Sequence, residues 1–187
     1  MSFNLWSKIV AIVVVLNCLI VDAVPWAVGG DFKQPSIQFI GTADIQGTAS
    51  DLSGYVEKLV NGEPHNRFGG ISALEYTGHG NRYIALPDRG PDDGATGYEC
   101  RYQVIEINIT PDSPKPVQVE LKETHVLKDF AARNFTGSAA ATKCTESCAG
   151  RLDPEGVRVG RDGRIFVSDE YGPTLIAFDT ADRELAR

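Results

Sequence analysis

Carboxylates and arginines gather where the extended segments of this chain end. Asp88-Arg89-Gly-Pro-Asp92-Asp93 follows one apolar run, Arg151-Leu-Asp153-Pro-Glu155 opens another, and Ser168-Asp169-Glu170-Tyr171 closes a third. A hard cation such as Ca²⁺ takes roughly six to eight oxygen ligands, so these side chains with backbone carbonyls could hold one if the loops converge. Arg89, Arg101 and Arg151 lie nearby in sequence and could grip an anionic group through paired N–H donors. Cation plus arginine is the chemistry of phosphoester cleavage: the metal polarises the phosphoryl oxygen and activates water, and arginine balances the developing charge. Everything here depends on convergence. Asp beside Gly or Pro also fixes turns by itself, and adjacent Asp169 and Glu170 face opposite sides of a strand unless the strand ends there. No G-x-S-x-G elbow, H-E-x-x-H pair or P-loop is present. His79 sits in a Gly-rich turn as a solvated residue, and His125 in an alternating strand as a surface or packing residue.

The elements that must position these groups are strands. Of 187 residues, 19 are Gly and 10 Pro, which favours many turns and short strands over long helices. With 42% hydrophobic and 23% charged residues the chain is a folded protein. A net charge of −7 argues against a nucleic-acid partner, which needs a basic surface. Period-2 alternation and turn residues predict strands at 70–76, 82–86, 102–109 and 117–127, then at 155–159, 164–168 and 174–179. Residues 37–42 are a further possible strand, and 51–60 either a helical turn or an irregular loop. The second group repeats the first: Gly70 matches Gly156, Asp88 matches Asp169, and Gly90-Pro91 matches Gly172-Pro173. A recurring four-stranded antiparallel unit in an all-β chain predicts a β-propeller. The second unit lacks a visible fourth strand, and residues 128–154 are an inserted loop, so about two blades are expected, as the N-terminal part of a longer ring.

The N-terminus reads as an export signal. Lys8 precedes the apolar run 9–20, and Val21-Asp22-Ala23 offers a small-residue cleavage site, with Ala27 as a second possible cut. A lipoprotein anchor at Cys18 is disfavoured by the bulk of Asn17. The expected organisation is a signal peptide at 1–23, a linker at 24–36 and the propeller at 37–187, in a secreted or periplasmic protein with no membrane attachment after cleavage. Three cysteines then remain. Cys144 and Cys148 could pair locally, or either could pair with Cys100. Asn108-Ile-Thr110 and Asn134-Phe-Thr136 are glycosylation sequons, meaningful in a eukaryotic source.

The segments Phe68-Gly-Gly-Ile-Ser-Ala-Leu, Leu86-Pro-Asp-Arg-Gly-Pro91, Arg151-Leu-Asp-Pro-Glu-Gly-Val-Arg-Val and Phe166-Val-Ser-Asp-Glu-Tyr-Gly-Pro173 resemble the phytase-like β-propeller family, from about residue 65 to 187. The resemblance implies a secreted or periplasmic propeller with esterase-like activity and, by analogy with propeller phytases, calcium-dependent ester hydrolysis of a small anionic substrate. It singles out Asp88, Arg89, Asp153, Glu155, Asp169 and Glu170 as motif positions. The expected roles are Asp153 and Glu155 in catalysis, Asp88, Asp169 and Glu170 on the metal, and Arg89, Arg101 and Arg151 on substrate. A non-catalytic binding propeller and a lactonase-like propeller are the alternatives.

Overall fold

The computed structural model describes residues 37–143 and 150–187. The signal peptide, the linker, Cys144 and Cys148 lie outside these residues. Eight strands form two antiparallel meanders. The first contains β1 (Ile71–Tyr76), β2 (Arg82–Pro87), β3 (Arg101–Ile109) and β4 (Val117–Val126). The second contains β5 (Pro154–Val159), β6 (Ile165–Asp169), β7 (Thr174–Phe178) and β8 (Glu184–Ala186). Strand existence follows the predicted alternation closely. The short β8 is an addition, since three residues whose one buried side chain is the charged Glu184, with Leu185 exposed, carry no apolar periodic signal.

The segment 37–42 forms no strand, and 51–60 is irregular rather than helical. Ile40, Ala43, Ile45 and Ala49 instead pack with Phe68 on one face of the first sheet, over Ala85, Ile105, Ile107 and Val117. The opposite face meets the second sheet. Ile84, Leu86, Tyr102 and Val104 interleave there with Val157, Ile165, Val167, Ile176 and Phe178. Each fully buried side chain of this size contributes about 1.5–3 kcal/mol.

A β-bulge sets which residues reach that interface. In the β3–β4 pairing Val104 faces Glu123 but Ile105 faces Leu121, so Lys122 is the extra residue. The bulge switches the odd-numbered side chains of β4 from one sheet face to the other. Val117 and Val119 therefore join the first core, whereas Glu123 and His125 turn toward the second sheet. His125 stacks on Tyr102 with centroids 4.7 Å apart, and its Nδ1 lies 2.9 Å from Asp182 between β7 and β8. Tyr102 donates its hydroxyl to the other Asp182 oxygen at 2.7 Å. His125 is thus a packing residue, as expected, and also a tether between sheets.

The inserted loop is laced into both sheets. Cys100 N–H donates to Phe135, Phe135 to Leu127, and Leu152 to Thr136. Phe135 and Leu152 are fully buried, and Phe135 meets Phe178 edge-on at 5.9 Å. Cys100 is buried with its thiol toward the Leu152 carbonyl.

Asp182 and Glu123 raise the His125 pKa above its ordinary 6.5, so the charged imidazole stabilises the fold at pH values below that. This contribution disappears as pH rises through the folded-state value. Urea unfolding of wild type and His125→Gln should therefore differ more at about pH 6 than at about pH 9; a difference independent of pH would contradict the tether. Arg101 and Asp51 form an ion pair at 2.8 Å with neither side chain exposed. Arg101→Ala leaves a buried carboxylate unpaired and should cost about 3–5 kcal/mol in the same assay.

Candidate functional site

Two strand ends and two bulges build the site. Asp88 follows the last residue of β2, and Asp153 precedes the first residue of β5. The Asp88 N–H donates to Gly70 O at 2.9 Å, which holds the exit of β2 against the entry of β1. In the second sheet the Glu170 N–H donates to Asp153 O at 3.0 Å in the same way. Register breaks lie between Ile71 and Ala73 and between Pro154 and Gly156, so Ser72 and Glu155 are the extra residues of two equivalent bulges. β5 packs against β1 and β2, which brings these ends together. Carboxylate oxygens of Asp88, Asp153 and Glu155 all lie within 4.8 Å of one another.

The electrostatics are set by burial. Asp153 has no exposed surface. Arg89 donates from Nη1 to its Oδ2, and reaches Asp93 from Nη2 at 2.5 Å. Asp153 Oδ1 is buried without a hydrogen-bond partner among the described residues. Burial pushes the Asp153 carboxyl up to about 7 against the pull of Arg89, and contact with Asp88 adds to the rise. Glu155 is raised by desolvation and by the Asp88 and Glu170 charges, with a Ser72 hydrogen bond opposing them. Carboxylates this close need a proton or a cation between them.

An aromatic ring organises the cations. The Arg89 and Arg151 guanidinium groups both lie over the Tyr171 ring, 5.4 and 4.7 Å from its centroid. Its hydroxyl donates to Gly137 O at 2.7 Å. Arg151 donates to the Tyr171 carbonyl at 3.3 Å and has no carboxylate partner among the described residues.

A family profile described as esterase-like activity of phytase matches residues 66–187. The chain belongs to the phytase-like family. A protein of Arthroderma benhamiae named as an uncharacterized secreted protein is 27% identical over 135 residues, covering 54% of this chain and 26% of that protein. The chain thus spans about a quarter of the length of the curated relative it matches. No solved structure matches it.

Within this phytase-like chain, the expected site residues divide. Asp88, Arg89, Asp153 and Glu155 converge, and Arg151 flanks them across Tyr171. Asp169 is placed differently: its Oδ1 accepts from the N–H groups of Asp153 and Tyr171 at 3.0 and 3.1 Å, so it shapes the turn and lies outside the carboxylate cluster. Glu170 is exposed beside Glu155. Arg101 is interior, between the rings of Tyr55 and Tyr98 and paired with Asp51, and presents no surface to a substrate.

The repeat expected from sequence shifts by one residue at β2 and β6 and by three at β1 and β5, where Gly156 is the counterpart of Ala73 rather than of Gly70. Ile71 pairs Pro87 where Pro154 pairs Asp169, so Asp169 is the counterpart of Pro87 and Glu170 that of Asp88. By the same register Asp153 replaces Gly70, and Glu155 replaces Ser72. Ser72, Tyr171 and Gly137 were not foreseen in these roles. Aligning the two Gly-Pro pairs strictly, with Asp88-Arg89 over Glu170-Tyr171, is the sequence signal that finds Tyr171.

Gly137 is the tightest point. A Cβ there would stand 1.8 Å from the Arg89 carbonyl oxygen, so a side chain forces the Arg89 backbone away. Gly137→Ala should destabilise by about 1–3 kcal/mol or more in urea unfolding, and an unchanged midpoint would show that the two segments do not touch.

Proposed function

We propose that this protein is an exported hydrolase that cleaves phosphoesters, or other esters of small anionic substrates, with a divalent cation such as Ca²⁺ held by Asp88, Asp153 and Glu155. The observation that carries this reading is the Asp153 Oδ1 oxygen, buried and without a hydrogen-bond partner among the described residues, on one of three converging carboxylates. Leaving an ionised oxygen so placed is costly, and hard oxygen donors of this kind suit Ca²⁺ or a similar cation. The donor set therefore fits. It shifts the roles expected from sequence: Asp153 and Glu155 act as ligands with Asp88, while Asp169 serves the turn.

When bound, the cation would polarise the ester oxygen and lower the pKa of a water. The protein's own groups do the rest. Arg89 is committed to Asp153 and Asp93 and so holds the first carboxylate in place. Ser72 orients Glu155 by a hydrogen bond. Arg151, stacked on Tyr171 and without a carboxylate partner among the described residues, is the group available to an anionic substrate, where charge building on the departing oxygens is balanced by its N–H donors.

Two further parts of the reading have separate support. The register equivalence between the sheets, each with one face toward its neighbour, supports their being consecutive propeller blades. The leader-like residues 1–23 and the secreted relative support export.

Calcium titration by calorimetry and hydrolysis of p-nitrophenyl phosphate test the site. The expected results are saturable Ca²⁺ binding, chelator-sensitive turnover, and loss of both in Asp153→Asn. Equal Ca²⁺ binding by wild type and Asp153→Asn would remove the carboxylates from the mechanism. Arg151→Ala should raise KM roughly tenfold or more, the loss of one charge-assisted hydrogen bond of about 1.5–3 kcal/mol, with Ca²⁺ affinity unchanged. A fall in Ca²⁺ affinity with unaltered KM would reverse its assignment.

A further inference from the structure

We infer that Asn108 carries an N-linked glycan when the chain passes through a eukaryotic secretory pathway, and that Asn134 stays unmodified. The sequence holds two sequons, Asn108-Ile-Thr110 and Asn134-Phe-Thr136. Composition does not distinguish them, and the fold does.

Asn108 lies one residue before the end of β3 and is exposed, as is Thr110. Its Oδ1 accepts from Asn81 Nδ2 at 2.9 Å, and no described residue accepts from its own Nδ2. The following connection, 110–116, carries Pro111, Pro114 and Pro116 and is held by only two backbone hydrogen bonds, from Thr110 to Pro116 and from Ser113 to Thr110. Such a segment is open to a transferase and leaves room for a bulky polar substituent afterwards.

Asn134 has the opposite surroundings. Both hydrogens of its Nδ2 are used, toward Glu99 at 2.9 Å and the Tyr55 hydroxyl at 3.2 Å. Its backbone bridges Lys128, and Thr136 bridges both Glu99 and Arg151. Phe135 between them is fully buried. A glycosylated asparagine keeps a single Nδ2 hydrogen, so a sugar at Asn134 would displace Glu99 or Tyr55 from a packed network. A chain modified there would lose that contact, and the folded product is the one left bare.

In the transfer, the Asn108 Nδ2 attacks the anomeric carbon of a lipid-linked oligosaccharide pyrophosphate. A C–N bond forms, the anomeric C–O bond breaks, the amide proton goes to a base, and the lipid pyrophosphate leaves. Position favours activity as well. Gln103 on β3 pairs with Ala85 near the Asp88 end of β2, so Asn108 lies toward the far end of β3. At about 3.3 Å per residue, a glycan there sits well away from the carboxylate mouth.

The test expresses the full chain behind a yeast secretion leader and scores only secreted material, so entry into the glycosylating compartment is assured. Peptide N-glycosidase treatment in heavy-oxygen water should give one mobility step, with mass spectrometry finding Asn108 converted to labelled Asp and Asn134 unchanged. Asn108→Gln and Thr110→Ala should both abolish the step, and Thr110→Ser should retain it. No step, or labelled Asp at residue 134, overturns the inference. Because the readout is covalent mass, it is independent of cation binding and turnover.

Discussion

A charge with no access to water has to be compensated by the protein around it, and Asp153 is such a charge. It stands where β5 begins, and its compensation comes from Arg89, which follows β2 in the other sheet. The pair therefore fixes the position of one sheet relative to the other as well as balancing charge. Arg89 does this with its backbone pressed on Gly137, at a contact that leaves no room for a Cβ. Only one Asp153 oxygen is satisfied in this way. The other is buried without a hydrogen-bond partner among the described residues, on a carboxylate grouped with Asp88 and Glu155, and the chemical character of the site comes from that incomplete satisfaction.

The opposite end of the sheet interface is tied by a different polar group. Asp182 accepts from Tyr102 on β3 and contacts His125 on β4, while Arg82 and Glu123 extend the network at 2.5 Å. The apolar layer between the sheets supplies most of the association energy, being larger and non-directional. The polar ties decide alignment, since hydrogen bonds hold only within a narrow range of distance and angle. A site whose ligands come from two sheets depends on that alignment more than on the size of the core.

Bulges recur wherever a side chain must leave the regular pleat. Lys122 turns His125 and Glu123 toward the second sheet. Ser72 and Glu155, the extra residues of β1 and β5, meet through a hydrogen bond. The same structural device at equivalent places in two sheets serves different side chains, a hydroxyl in one and a carboxylate in the other. Asp153 in place of Gly70 shows the same divergence. The scaffold repeats, and the chemistry was placed on it unevenly.

Much of this was legible in the residues. Seven of eight strands, the glycine turns between them and the carboxylate-rich ends follow from alternation and turn chemistry, because these depend on neighbours a few positions apart. The family resemblance rests on the same local segments. What only the tertiary structure decided was pairing at a distance. A one-residue shift in register made Glu170, not Asp169, the counterpart of Asp88. Arg101, expected from sequence to meet substrate, is turned inward by Asp51, fifty positions earlier. Asn108 and Asn134 share a motif, yet one is solvated and the other enclosed. Sequence spacing reports which residues neighbour one another along a strand, whereas burial and charge compensation depend on partners that only folding brings into contact.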